Sequence, residues 1–155
     1  MEGQNFGLKA APPFPHDAVP AAAAEAFHLD MSRVVVAGMS EITRVVVARI
    51  VERAGLRPVS ALPGDAEWLV TQACPGLVVV DGGADNHEGD RLIARLAALR
   101  RAMGGKAPAI VLLSTRNGDV LTLHAGGGVD AVVAKPITPE RLQPVVELLT
   151  GRAKA

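Results

Sequence analysis

Residues 77–81 read Leu-Val-Val-Val-Asp, and two glycines follow. An unbroken aliphatic run suits a strand covered on both faces. Asp81 therefore stands where a rigid platform gives way to a polar loop, residues 82–89. Functional side chains concentrate at such junctions. Other aliphatic runs also end in residues of interest: Arg33–Ala37 in Gly38, Ala109–Leu113 in Ser114, and Asp130–Ala134 in Lys135. A carboxylate, a hydroxyl and an ammonium group at strand ends can serve a ligand or pair with one another. Which they do depends on the elements that position them.

Several chemistries are excluded first. Neither GxGxxG nor GxxxxGK[ST] occurs, which argues against a dinucleotide or P-loop enzyme. Ser40, Ser60 and Ser114 lack a Gly-x-Ser-x-Gly setting, so no nucleophile elbow is present. His16, His28, His87 and His124 show no metal-ligand spacing, and Cys74 is the only cysteine, which removes internal disulfides and cysteine-based metal clusters. Sixteen basic residues balance sixteen acidic ones, so nothing overall favours nucleic acid or an anionic membrane. No apolar run approaches the roughly 20 residues that span a bilayer. No secretory signal is visible at the start. A reducing, cytoplasmic setting is expected. With 49% hydrophobic but only 3% aromatic residues, the core must be built from Val, Leu, Ile and Ala.

Residues 1–31 differ from the rest. Pro12, Pro13, Pro15 and Pro20 interrupt regular structure, and little apolar surface is available to bury. This segment reads as a flexible arm, residues 32–151 as one domain, and 152–155 as a tail. Within the arm, "AAAAEAFHL" suits a short helix that would need a surface for Phe27 and Leu29.

From Ser32 onward, strands and helices alternate. The strands are "RVVVAG", "RPVSAL", "GLVVV", "AIVLLS" and "DAVVAK". The first helix, "EITRVVVARIVERAG", places Val46, Val47, Ile50, Val51 and Ala54 on one face and stops at Gly55. The second, "DAEWLVTQA", is expected to be capped by Asp65, with Trp68 and Leu69 facing inward. The third, "GDRLIARLAALRRAM", carries an apolar stripe opposite Arg91, Arg95, Arg100 and Arg101. The fourth is "GDVLTLHAGG". The last, "TPERLQPVVELLTG", has Thr138 as cap, Pro139 at its first position and Glu140 in its first turn. Five such β–α pairs require crossover connections, hence an α/β fold with a doubly wound five-stranded parallel sheet. Ligands in such sheets sit off the carboxyl ends of the strands, the edge where Gly38, Asp81, Ser114 and Lys135 fall.

Over roughly Ser32–Gly151 the chain resembles the receiver domain of two-component response regulators, a flavodoxin-like (βα)5 fold. The resemblance rests on "PGLVVVD", on "EG" after it, and on "GGVDAVVAKPITPERL". It implies that Asp81 matches the phosphoryl-accepting aspartate, Lys135 the lysine that pairs with the phosphoryl group, and Gly89 the loop glycine. The hydroxyl ending the fourth strand is Leu113 by an ungapped count back from Lys135, or Ser114 with a one-residue shift. The family's two adjacent metal-holding acids are replaced by Gly38 and Met39, and its switch aromatic by Val132. The chain thus resembles a degenerate, or pseudo-, receiver.

These replacements bear on the chemistry. Mg²⁺ prefers an octahedron of oxygen ligands, which glycine and a soft thioether do not supply. Asp81 with a backbone carbonyl makes a weak site, so no cofactor is expected. Asp85, Glu88 and Glu41 carry oxygens but do not face Asp81 across the first and third strands. Losing a Lewis acid worth several kcal/mol slows phosphoryl transfer by orders of magnitude. The expected role of Asp81 is a strand-end acid paired with Lys135, not that of an acceptor.

The favoured function is a non-enzymatic signalling module that docks onto a histidine kinase, a phosphotransferase or a second copy of itself. The resemblance implies a docking surface at His124, Val132 and the last helix, including Pro139, Leu142, Val146 and Leu149. The alternatives are a phosphoryl-accepting regulator using Asp81 with unusual metal dependence, and a sensor binding a cyclic dinucleotide on the arginine stripe.

Overall fold

The computed structural model describes residues 30–83, 88–102, 104, 108–115 and 129–151. The elements run β1 (Asp30–Ala37), α1 (Glu41–Arg53), β2 (Arg57–Ala61), α2 (Pro63–Ala73), β3 (Pro75–Asp81), α3 (Asp90–Ala102), β4 (Ala109–Ser114), β5 (Ala131–Ala134) and α4 (Pro139–Leu149). All five strands are parallel, in the order β2-β1-β3-β4-β5. The chain moves from β1 outward to β2, then crosses to β3 on the other side. The reversal between β1 and β3 leaves a crevice at their carboxyl ends. The helix expected in "GDVLTLHAGG", and His124 with it, lie outside the described residues, as do residues 1–29.

Each face of the sheet builds its own core. Val35, Val78, Val80, Ile110 and Leu112 pack with Ala66 and Val70 of α2 and Leu92, Ile93 and Leu96 of α3. Val34, Val36, Leu77, Val79, Val111 and Leu113 pack with Val47, Ile50 and Val51 of α1 and Leu142 and Val146 of α4. Every residue of β3 and β4 is buried, because each has a strand on either side and helices above and below. That burial is why both read as uninterrupted aliphatic runs. β2 lies at an edge, where it tolerates Pro58 and exposes Ser60.

The helix ends follow local chemistry. The Ser40 hydroxyl accepts the Thr43 N–H at 3.2 Å and starts α1. Gly55, at φ +84°, takes the left-handed turn after it. The Thr138 hydroxyl accepts the Arg141 N–H at 3.3 Å, with Pro139 at the first position of α4.

Four expectations are corrected. β1 begins at Asp30, three residues early, because the Asp30 N–H donates to the Cys74 carbonyl at 2.7 Å and extends the ladder. α2 begins at Pro63 after Leu62, so Asp65 lies in the first turn and is not the cap; its charge there still complements the helix dipole. The buried stripe of α2 is Ala66, Val70 and Ala73. Two residues along a helix turn about 200°, so Trp68 points away from Ala66 and is 50% exposed. Val46 is likewise outside the buried face of α1, at 37% exposure.

Candidate functional site

Four strand ends converge at one edge of the sheet. The register pairs Ala37 with Val80, Asp81 with Leu113, and Ser114 with Ala134. Gly38, Asp81, Ser114 and Lys135 are therefore brought to the same side. The Lys135 N–H donates to the Ser114 carbonyl at 2.8 Å, and the Gly82 N–H to the Leu113 carbonyl at 3.0 Å, so the ladder continues past the strands and fixes the edge.

Asp81 is 3% exposed. Its Oδ1 accepts the Lys135 ammonium at 2.6 Å and the Gly83 N–H at 2.9 Å. The second contact closes a local turn in which Gly83 adopts φ +76°. That turn aims the Gly83 carbonyl at Lys135 Nζ, 3.4 Å away. One ammonium thus bridges a carboxylate oxygen and a carbonyl oxygen on the β3 loop. The loop is closed on its far side by the Glu88 N–H, which donates to the Gly82 carbonyl at 3.0 Å. Gly89 is buried against Val80, with no room for a β-carbon.

Across from Asp81, the end of β1 contributes no side-chain oxygen. A β-carbon on Gly38 would meet Asp81 Cβ at 2.8 Å and its Oδ2 at 3.4 Å. The Gly38 carbonyl accepts Arg44 Nη1 at 2.6 Å. Met39 turns outward and is 59% exposed. Glu88 folds over Gly83, Glu41 is exposed at the start of α1, and Asp85 lies outside the described residues. No group of three metal-ligating side chains occurs among the described residues.

Leu113 belongs to the core on the α1 and α4 face, whereas Ser114 is the buried final residue beside Lys135. Gly83 and Arg44 were not evident beforehand. Asp-Gly-Gly carries a weak turn signal for Gly83, but nothing local marks Arg44, whose partner is six residues back.

No family model matches the chain, and no curated protein matches it in sequence. Solved structures do. The chemotaxis protein CheY4 of Vibrio cholerae is similar with a TM-score of 0.64 at 20% identity, covering 77% of this chain and 99% of that one. A response regulator receiver domain from Clostridium thermocellum is similar at 0.63 and 17%, covering 78% and 95%. A putative pilus assembly-related protein from Burkholderia pseudomallei is similar at 0.61 and 21%, covering 81% and 93%. The fold is that of receiver domains.

Receiver domains commonly use Mg²⁺, and the donor set at this edge among the described residues does not fit that ion. The Asp81 carboxylate and the Gly83 carbonyl are both engaged by an ammonium, Gly38 is pressed against Asp81, and Met39 offers only a thioether. A hard dication needs about six oxygens, several of them from water held by carboxylates.

Two other candidate surfaces change on inspection. Leu142 and Val146 are wholly buried in the core, so they are packing residues and not docking residues. They lie on the inward stripe of α4, which the receiver comparison alone did not separate from its outer face. Leu149 and Val132 are half-buried against the two cores, Pro139 is half-buried, and Leu148 is the outward apolar residue of α4. On the arginine stripe, Arg95 pairs with Glu67 at 3.7 Å and Arg100 with Asp130 at 2.6 Å. Half the stripe is thus neutralised by carboxylates and makes a poor site for an anionic nucleotide.

Proposed function

We propose that this chain is a pseudo-receiver: a cytoplasmic signalling module that acts by docking onto another protein, without Mg²⁺-dependent phosphoryl transfer. The observation that carries this reading is the Lys135 ammonium bridging Asp81 Oδ1 and the Gly83 carbonyl, facing a β1 end with no acid. A carboxylate that accepts a phosphoryl group needs an oxygen lone pair directed outward and positive charge around the incoming oxygens. In this site Oδ1 accepts two hydrogen bonds and the Lys135 ammonium offsets the charge of Asp81 itself. Oδ2, on the Gly38 side, would meet an incoming phosphoryl group with no acid at the end of β1 to hold a neutralising cation. Asp81 and Lys135 then act as a structural clasp tying the β3 loop to β5. The kinds of partner that suit a receiver fold are a histidine kinase, a phosphotransferase or a second copy of the chain. The neutralised arginine stripe disfavours the cyclic-dinucleotide reading.

The test is incubation with radiolabelled acetyl phosphate and Mg²⁺, in parallel with Asp81→Asn. The expected outcome is no stable label on either protein, and no amide shifts near Asp81 on Mg²⁺ titration followed by NMR. Label that is retained by the native chain and lost in the variant would replace this reading with that of a phosphoryl-accepting regulator.

A further inference from the structure

Eight large apolar side chains are exposed among the described residues, and four of them, Met39, Ile42, Val45 and Val46, fall together at the start of α1. The β5–α4 loop extends this surface: Ile42, Thr43 and Val46 line a depression of about 220 Å³ with Lys135, Pro136 and Ile137. Ile42 is 77% exposed and Val45 50% exposed, more than an ordinary core-facing helix leaves in water. Grouped apolar exposure of this kind marks an interaction surface.

The charges around the patch indicate what covers it. Glu41, Val45 and Arg49 are four residues apart and form one ridge of the helix; Ile42 and Val46 form the next. Both Glu41 and Arg49 are exposed, and neither is ion-paired among the described residues. Arg44 lies on the ridge flanking Glu41 and Val45 on the side away from Ile42 and Val46, where the Gly38 carbonyl holds it. Ridges spaced by four residues interlock with the same ridges of a second helix at a crossing angle of about −50°. If that second helix is another α1 running the opposite way, Val45 falls on the twofold axis. Glu41 of each copy then lies opposite Arg49 of the other, about 6 Å along the helix from the axis on either side. The acid and the base are equidistant from the apolar centre, so the surface is complementary to itself, as a twofold interface requires.

We infer that the partner seated on this surface is a second copy of the chain, joined through antiparallel α1 helices centred on Val45. This specifies the partner for the protein-docking reading above and rests on it. It places the interface on the first helix and not on the face containing Val132 and α4. The dimer also brings the second copy beside Lys135 and Pro136, so docking and the Asp81 clasp share one end of the molecule.

The test uses the full chain in sedimentation velocity from micromolar to millimolar concentration. A concentration-dependent dimer is expected. Glu41→Arg and Arg49→Glu should each weaken it roughly tenfold, since each creates two like-charge contacts by symmetry. The double variant Glu41→Arg/Arg49→Glu should restore it, which a merely misfolded variant would not. Val45→Cys, with Cys74 replaced by Ala, should form a covalent dimer on mild oxidation. A monomer at every concentration overturns the inference, whether the patch is covered by residues 1–29 or by an unrelated protein. A dimer indifferent to all three charge variants overturns it too, since the contact then lies elsewhere. Neither result touches the phosphorylation assay, and label on Asp81 would remove the pseudo-receiver reading while leaving the dimer in place.

Discussion

Gly38 backs directly onto Asp81: a β-carbon at position 38 would fall 2.8 Å from the Asp81 β-carbon. The glycine at this position and the placement of Asp81 are thus a single packing arrangement. Asp81 leans into the space that a side chain on Gly38 would occupy, and Lys135 holds it there at 2.6 Å.

Placing an acid at position 38 should therefore fail to create a metal site. Gly38→Asp forces either Asp81 or the end of β1 to move, and overpacking of this kind costs about 1–3 kcal/mol. Urea unfolding should show that loss, with no recovery on adding Mg²⁺. A variant that gains stability with millimolar Mg²⁺ would show that the edge can still assemble a metal site.

Removing the ammonium should be more costly than removing the pair. Lys135→Met leaves the Asp81 carboxylate, only 4% exposed, without its charge partner. The Lys135 side chain is 22% exposed, so water reaches the site and the cost falls toward the low end for a buried pair, about 1–3 kcal/mol at neutral pH. Asp81→Asn/Lys135→Met should recover much of this in a double-mutant cycle. Strictly additive losses would mean that the two groups do not act as a clasp.

Asp30 should titrate below the ordinary aspartate range. The Ser32 hydroxyl is the main cause and the Ser32 N–H the next; burial opposes them, and the Arg57 and Arg33 guanidinium groups add to the lowering. A carboxyl whose folded value is depressed contributes stability above its unfolded value, and loses it as pH falls through the folded one. The contribution should therefore fade below about pH 4. Ser32→Ala should raise the Asp30 midpoint in an NMR titration, and an unchanged midpoint would assign the shift to the arginines instead.

Cys74 should be slow to react and cheap to replace by glycine. Burial pushes its thiol pKa up, so less thiolate is present near neutral pH and iodoacetamide labelling should lag behind that of a free thiol. Its φ of +48° lies in the left-handed region, where a β-carbon is strained. Cys74→Gly should leave stability unchanged or raise it by up to about 1 kcal/mol in thermal unfolding. A clear loss would mean that the contact of Sγ with the Thr71 carbonyl, at 3.6 Å, outweighs the strain.

The sequence alone determined the alternation of strands and helices, the two-sided burial of β3 and β4, the cap at Thr138, and the convergence of Asp81 and Lys135 on one sheet edge. Each of these follows from local spacing: hydrophobic period, turn residues and the handed crossover of parallel strands. Only the tertiary structure decided that Lys135 bridges Asp81 and Gly83, that Gly38 fills against Asp81, that Arg95 and Arg100 are neutralised by Glu67 and Asp130, and that Leu142 and Val146 face inward while Ile42 and Val45 face out. Those facts depend on partners distant in sequence, 54 residues apart for Asp81 and Lys135. Strand register and helix rotation bring such groups together, and neither is encoded in any short window of the chain.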